Sequence, residues 1–130
     1  MRDIKPEEVP ILTDRLHMGT FGIDIEEHKD FKGYPITEDG KHLGELRDGM
    51  VTTEIALTSL ASVIATDQHR RNNSHGMPEI TRDVDIAGKA AAAAREASER
   101  VTGQPVVSPI NAMPASNDLW VQLLASQDGQ

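Results

Sequence analysis

Two long stretches of this chain repeat apolar residues at helical spacing, and several shorter ones do so more briefly. The longest runs from Val51 to about Arg71. Ala56, Leu57, Leu60, Ala61, Val63 and Ile64 form a stripe wide enough to touch two neighbours, which predicts a central core helix. Asp48 or Thr52 is its expected cap. Thr52, Thr53, Thr58 and Thr66 lower its intrinsic propensity, so packing has to hold it. The second long stretch is predicted to start at Asp83 or Asp85, whose carboxylates suit a helix amino end, and to stop at Thr102-Gly103 before Pro105. Ala87, Ala90, Ala91, Ala94, Ala97 and Val101 share its apolar side, and Glu96 and Arg100 are spaced for a weak pair. A face made of Ala buries little area per residue but lets a second helix come close. The partner helix belongs either to the same domain or to a second chain.

The shorter patterns fill in around these two. Ile11 to Phe21 reads as a short helix capped by Thr13 or Asp14 and ended by Gly19, or as irregular chain laid over a core. Asp24 opens a helix from Ile25 to Phe31 that Gly33 stops, and a brief helix is expected from His42 to Arg47. Asn72 to Pro78 is turn-forming, with Pro78 set against a helix through it. Gln104 to Ile110 reads as extended, with Pro105 and Pro109 around Val106, Val107 and Ser108. A last short helix, Leu119 to Ala125, carries Trp120, Leu123 and Leu124 on one side. The expected fold is an all-α, small helical domain with a long central helix, a second Ala-faced helix and an extended segment near the C-terminus. Residues 1–20 are expected as an N-terminal arm, 21–125 as a single helical domain and 126–130 as a frayed tail.

Composition sharpens this picture. The chain has 130 residues, enough for one domain, and only 3% are aromatic. A large buried aliphatic side chain contributes roughly 1.5–3 kcal/mol and Ala far less. A monomer would be thinly stabilised, so a homo-oligomer, most simply a dimer, is expected. The net charge of −8 argues against general affinity for a phosphate backbone and suits a basic protein partner. There is no cysteine, which excludes a disulfide, a thiolate metal site and a cysteine nucleophile. No apolar run resembles a signal peptide or a membrane span, and a cytoplasmic location without membrane contact is expected.

Candidate chemistry is sparse. None of His17, His28, His42, His69 and His75 lies three or four residues from another, the spacing that sets two ligands on one helix face. Asp24, Glu26, Glu27, Asp83 and Asp85 are explained by helix starts. Serines lack a nucleophile elbow, and no glycine loop cradles phosphate. No enzyme, metal or cofactor is therefore expected; a small metal-dependent hydrolase is the alternative. For nucleic acid, a second alternative, the candidates are His69, Arg70, Arg71 and Arg82, without interleaved aromatics. A helix-turn-helix around Asn72 fails on the expected length of the loop through Pro78.

The order of several short motifs carries a resemblance. Phe21-Gly22-Ile23-Asp24, Glu27-His28-Lys29, Phe31-Lys32-Gly33, Leu46-Arg47-Asp48-Gly49-Met50, Thr53-Glu54-Ile55-Ala56, Ala87-Gly88-Lys89-Ala90 and Thr102-Gly103-Gln104-Pro105-Val106-Val107-Ser108 follow one another. This resembles the carboxy-terminal half of the DNA-damage-inducible protein D family and related phage antirepressor-like proteins, over roughly residues 21–111. The resemblance implies a bacterial or phage regulatory protein acting through protein contact, with a repressor or repair factor as partner. It also implies that an amino-terminal domain frequent in those proteins is missing here. Ala87, Ala91, Ala94, Val106, Val107 and Trp120 are the expected partner-binding residues, with Trp120 either an interface anchor or a side chain that closes the domain's own core.

Overall fold

The structure, a computed structural model, describes residues 3–112. It is all-α. A single turn at Pro6–Glu8 leads into α1 (Val9–Phe21), followed by α2 (Ile25–Phe31), α3 (Leu46–Gly49), α4 (Thr52–Asn72) and α5 (Gly76–Thr102). An isolated antiparallel bridge, Ile36 to His42, closes the connection before α3. The expected last helix around Trp120 lies outside the described residues.

The longest helix is α5, and it starts seven residues earlier than its sequence pattern suggested. Pro78 sits in its first turn, where a missing N–H leaves no intrahelical bond unmade. Only 73–75 separate α4 from α5, so the two form an antiparallel hairpin. The long loop held against a helix-turn-helix does not exist. Asn73 makes the turn in the left-handed region, and its N–H and that of Ser74 close onto the end of α4.

Asp83 is consequently not a cap. It is fully buried inside α5, two turns past the start, and ties the hairpin together. Asn72 Nδ2 donates to its Oδ1 at 2.8 Å, His69 Nδ1 lies 2.8 Å from its Oδ2, and the Ser74 hydroxyl donates to Oδ2. Burial alone would raise the Asp83 pKa, but these hydrogen bonds outweigh it and hold the carboxyl below its usual range. Asp85, the other expected cap, pairs across to Arg15 on α1.

The expected Ala face of α5 is covered only in part, with Ala90 and Val101 left exposed. Ala87 and Ala91 are fully buried, and α1 lies along them. A Cβ added at Gly19 would stand 3.1 Å from the Gly88 backbone, and one added at Gly88 would meet Gly19 equally closely. The two helices thus cross backbone on backbone, which accounts for a glycine inside each. It also carries α1 straight through Gly19, expected as its end, to Gly22, which turns left-handed. The boundary expected between residues 20 and 21 falls inside α1, and Leu12 and His17, on the arm side of it, are buried.

Two clusters flank the crossing. Leu12, Ile80 and Val84 pack at one end; Phe21, Tyr34, Leu46, Met50, Leu57 and Val106 pack at the other. The stripe expected on α4 is rotated: Glu54, Leu57, Ala61 and Ala65 face inward, while Leu60 and Val63 are exposed. Neither Asp48 nor Thr52 caps it. Val51 stands at the cap, and Glu54 reaches back to accept from its N–H at 2.9 Å. The brief helix expected at His42–Arg47 lies further on, at α3, while α2 starts with the Asp24 cap as expected. No described helix is long and apolar enough to cross a membrane.

The backbone crossing gives a direct test. Gly88→Val places a branched side chain against α1, and the expected cost is about 1–3 kcal/mol or more. Ala90→Val, on the exposed side of the same helix, should change stability by no more than about 0.5 kcal/mol. Urea unfolding of both variants reads the contrast.

Candidate functional site

A buried ion pair joins the two halves of the chain. Glu54, in the first turn of α4, and Lys32, just after α2, have no exposed side-chain surface, and Lys32 Nζ lies 2.6 Å from Glu54 Oε1. Such a pair is stable only if every remaining proton and lone pair is matched. Here they are. Lys32 Nζ also donates to the carbonyls of Ser108 at 2.9 Å and Ile110 at 2.8 Å. Glu54 Oε1 accepts from Val51 N, and Oε2 accepts from Ser108 N at 3.1 Å and faces His28 Nε2 at 2.6 Å. Burial by itself would raise the Glu54 pKa; the bonds from His28, Lys32, Val51 and Ser108 overcome it and hold the carboxyl down to about 2.

The network continues through His28, fully buried on α2, to His17 on α1, with 2.8 Å between His28 Nδ1 and His17 Nε2. Phe21 lies against both imidazoles, with ring centroids 4.7 Å from His17 and 5.3 Å from His28. Burial, with His28 alongside, lowers the His17 pKa to about 4. His17 lines a groove of about 60 Å³ between α1 and α4, together with Thr13, Leu16, Thr20, Phe21, Thr58, Ala61 and Ser62.

On the outer side of α2 lies a second and larger groove. It has a volume of about 390 Å³ and is lined by Ile23, Glu27, Asp30, Phe31 and Val107. Its position follows from the lock behind it. His28 and Lys32 turn inward, so Glu27, Asp30 and Phe31 turn outward, and the bonds at Ser108 and Ile110 lay the extended segment beside them. Phe31 remains half exposed. Asp30 is also reached by His42 Nε2 at 3.1 Å, whose other ring nitrogen lies 3.3 Å from Glu26. The groove is therefore apolar at its floor and acidic at its rim.

Of the expected partner-binding residues, Ala87, Ala91 and Val106 are buried within the fold, Ala94 is partly buried, and Val107 lines the larger groove. Trp120 lies outside the described residues. Among the alternative nucleic-acid residues, His69 turns inward to Asp83, while Arg70, Arg71 and Arg82 are exposed. The meeting of His17, His28, Lys32, Glu54 and Ser108 is not among the sequence expectations, because these five come from four separate segments and helical spacing links only near neighbours. One signal was present: His28, Lys32, Glu54 and Ser108 all fall inside the motif pieces that carried the resemblance. Among the described residues, no group of three or more His, Cys, Asp or Glu is placed to hold a metal ion. Comparison with protein-family models, with curated proteins and with solved structures finds no match in any of the three.

The site predicts how the fold responds to acid. Above pH 6.5, the ordinary His value, His17 is neutral in both folded and unfolded chains and its contribution is full. Between 6.5 and about 4 only the unfolded chain takes up the proton, so stability falls as pH falls, by on the order of 3 kcal/mol across the window. Glu54 adds a further loss between its ordinary 4.5 and about 2. Urea unfolding across these windows should show both limbs, and His17→Gln should remove the upper one. Glu54→Gln is expected to cost about 3–5 kcal/mol at neutral pH, since it strands the Lys32 ammonium in the core.

Proposed function

We propose that this chain is a regulatory protein that acts by binding another protein, in a bacterial or phage setting of the antirepressor-like or DNA-damage-response kind that its motif order resembles. The observation that carries the reading is the groove of Ile23, Phe31 and Val107 with Glu27 and Asp30 at its rim. A half-exposed Phe beside an open apolar floor is an anchor site, and aromatic anchors dominate protein interfaces. The carboxylates select the occupant: an amphipathic segment of a partner with an aliphatic side chain for the floor and Lys or Arg beside it. The charge of −8 works in the same direction over longer range, by steering a basic partner. The motifs behind the resemblance support the reading in a further way. His28, Lys32, Glu54 and Ser108 form the lock that holds α2 and the extended segment side by side, and so give the groove its shape.

A synthetic peptide with Leu on one face and flanking Lys is the probe, followed by fluorescence anisotropy. Phe31→Ser is expected to weaken its binding by about tenfold or more. Glu27→Lys should weaken it too and flatten its dependence on salt. Equal binding of a peptide with Asp in place of Lys, or no effect of Phe31→Ser, would remove the reading. Light scattering distinguishes the rival occupant, a second copy of this chain: a dimer that Phe31→Ser converts to monomer would assign the groove to self-association.

A further inference from the structure

His17 has one ring nitrogen that the fold does not use. Glu54 is ionised and can only accept, so the proton between it and His28 sits on His28 Nε2. When that is the only proton on the His28 ring, its Nδ1 is a lone pair and the hydrogen bond between the two imidazoles places the His17 proton on Nε2. His17 Nδ1 is left as a bare acceptor. No described residue donates to it, although His17 is only 7% exposed. Buried side-chain nitrogen and oxygen atoms without a partner are absent among the described residues, so Nδ1 keeps its accessible surface where His17 lines the groove between α1 and α4.

The walls select the chemistry of an occupant. Thr13, Thr20 and Thr58 each donate their hydroxyl proton to the carbonyl four residues back, at Val9, Leu16 and Glu54. Their oxygens offer lone pairs to the groove, which leaves the Ser62 hydroxyl as a donor on its wall, so an anion would meet mostly acceptors while a hydroxyl can both donate and accept. A cation finds no free carboxylate, because Glu54 already has four donors. What remains is a neutral donor on an apolar stem. A cavity of roughly 150 Å³ takes up benzene, so a groove of about 60 Å³ is too small for an aromatic ring and suits a short aliphatic chain.

The geometry points to a small-molecule site at which His17 Nδ1 accepts the hydroxyl proton of a short aliphatic alcohol, its carbon stem lying on Leu16, Phe21 and Ala61. The low basicity of His17 fits this role, since the ring stays a neutral acceptor throughout the physiological range. The Glu54–His28 pair acts behind it as a positioning element that fixes the tautomer. The site lies between α1 and α4, apart from the groove on α2, and does not depend on what binds there.

Proton–nitrogen correlation spectra of the histidine rings in the full-length chain, titrated with n-propanol, provide the test. His17 is expected to carry its proton on Nε2, with an Nδ1 resonance that shifts to saturation at a Kd on the order of 1 mM. Ser62→Leu projects from an exposed position over the groove and should weaken that binding about tenfold or more, with the tautomer unchanged. A proton on Nδ1, a response that rises without saturating, or equal binding by Ser62→Leu would overturn the assignment and leave the nitrogen to water alone.

Discussion

A single carboxylate, that of Glu54, holds distant parts of this protein in register. It has no exposed surface, so its charge is tolerable only with every lone pair occupied. Its four donors come from the start of its own helix, from α2, from the residue after α2 and from the extended segment fifty-four positions later. Lys32 is closed in the same way, with all three protons accepted. An apolar pair would fill the space as well but would not fix which segment lies where. The directional bonds make α2 and residues 106–110 neighbours, and the larger groove is the outer surface of that junction.

The other half of the fold relies on the opposite device, the removal of side chains. Gly19 and Gly88 let α1 and α5 touch through their backbones, and Ala87 and Ala91 continue the close approach. Little apolar area is buried per residue, yet dense contact compensates through dispersion. Asp83 then fixes how α4 folds back on α5. The two devices meet at His17, whose helix is placed by the glycine crossing and whose ring is oriented by the carboxylate network. A neutral imidazole with one free nitrogen results from both constraints acting together.

Helical spacing determined that the described part of the chain is all-α, that its two longest apolar stripes are helices, and that α2 starts at Asp24, because these depend on neighbours three and four residues away. Gly103 ends α5 as its sequence context requires, in a left-handed conformation open to glycine. What local pattern could not assign was the role of each charged residue. Asp83 resembles a cap until α4 folds onto it; Pro78 resembles a break until it proves to lie in a first turn. Leu60 and Val63 share a stripe with Leu57, and only the position of α1 and α5 decides which edge of that stripe is covered. His17, His28, Lys32, Glu54 and Ser108 are separated by 91 positions at their extremes, and spacing carries no information over such a distance. Their meeting is a property of the packed helices: a buried charge must find its partners wherever the fold brings them.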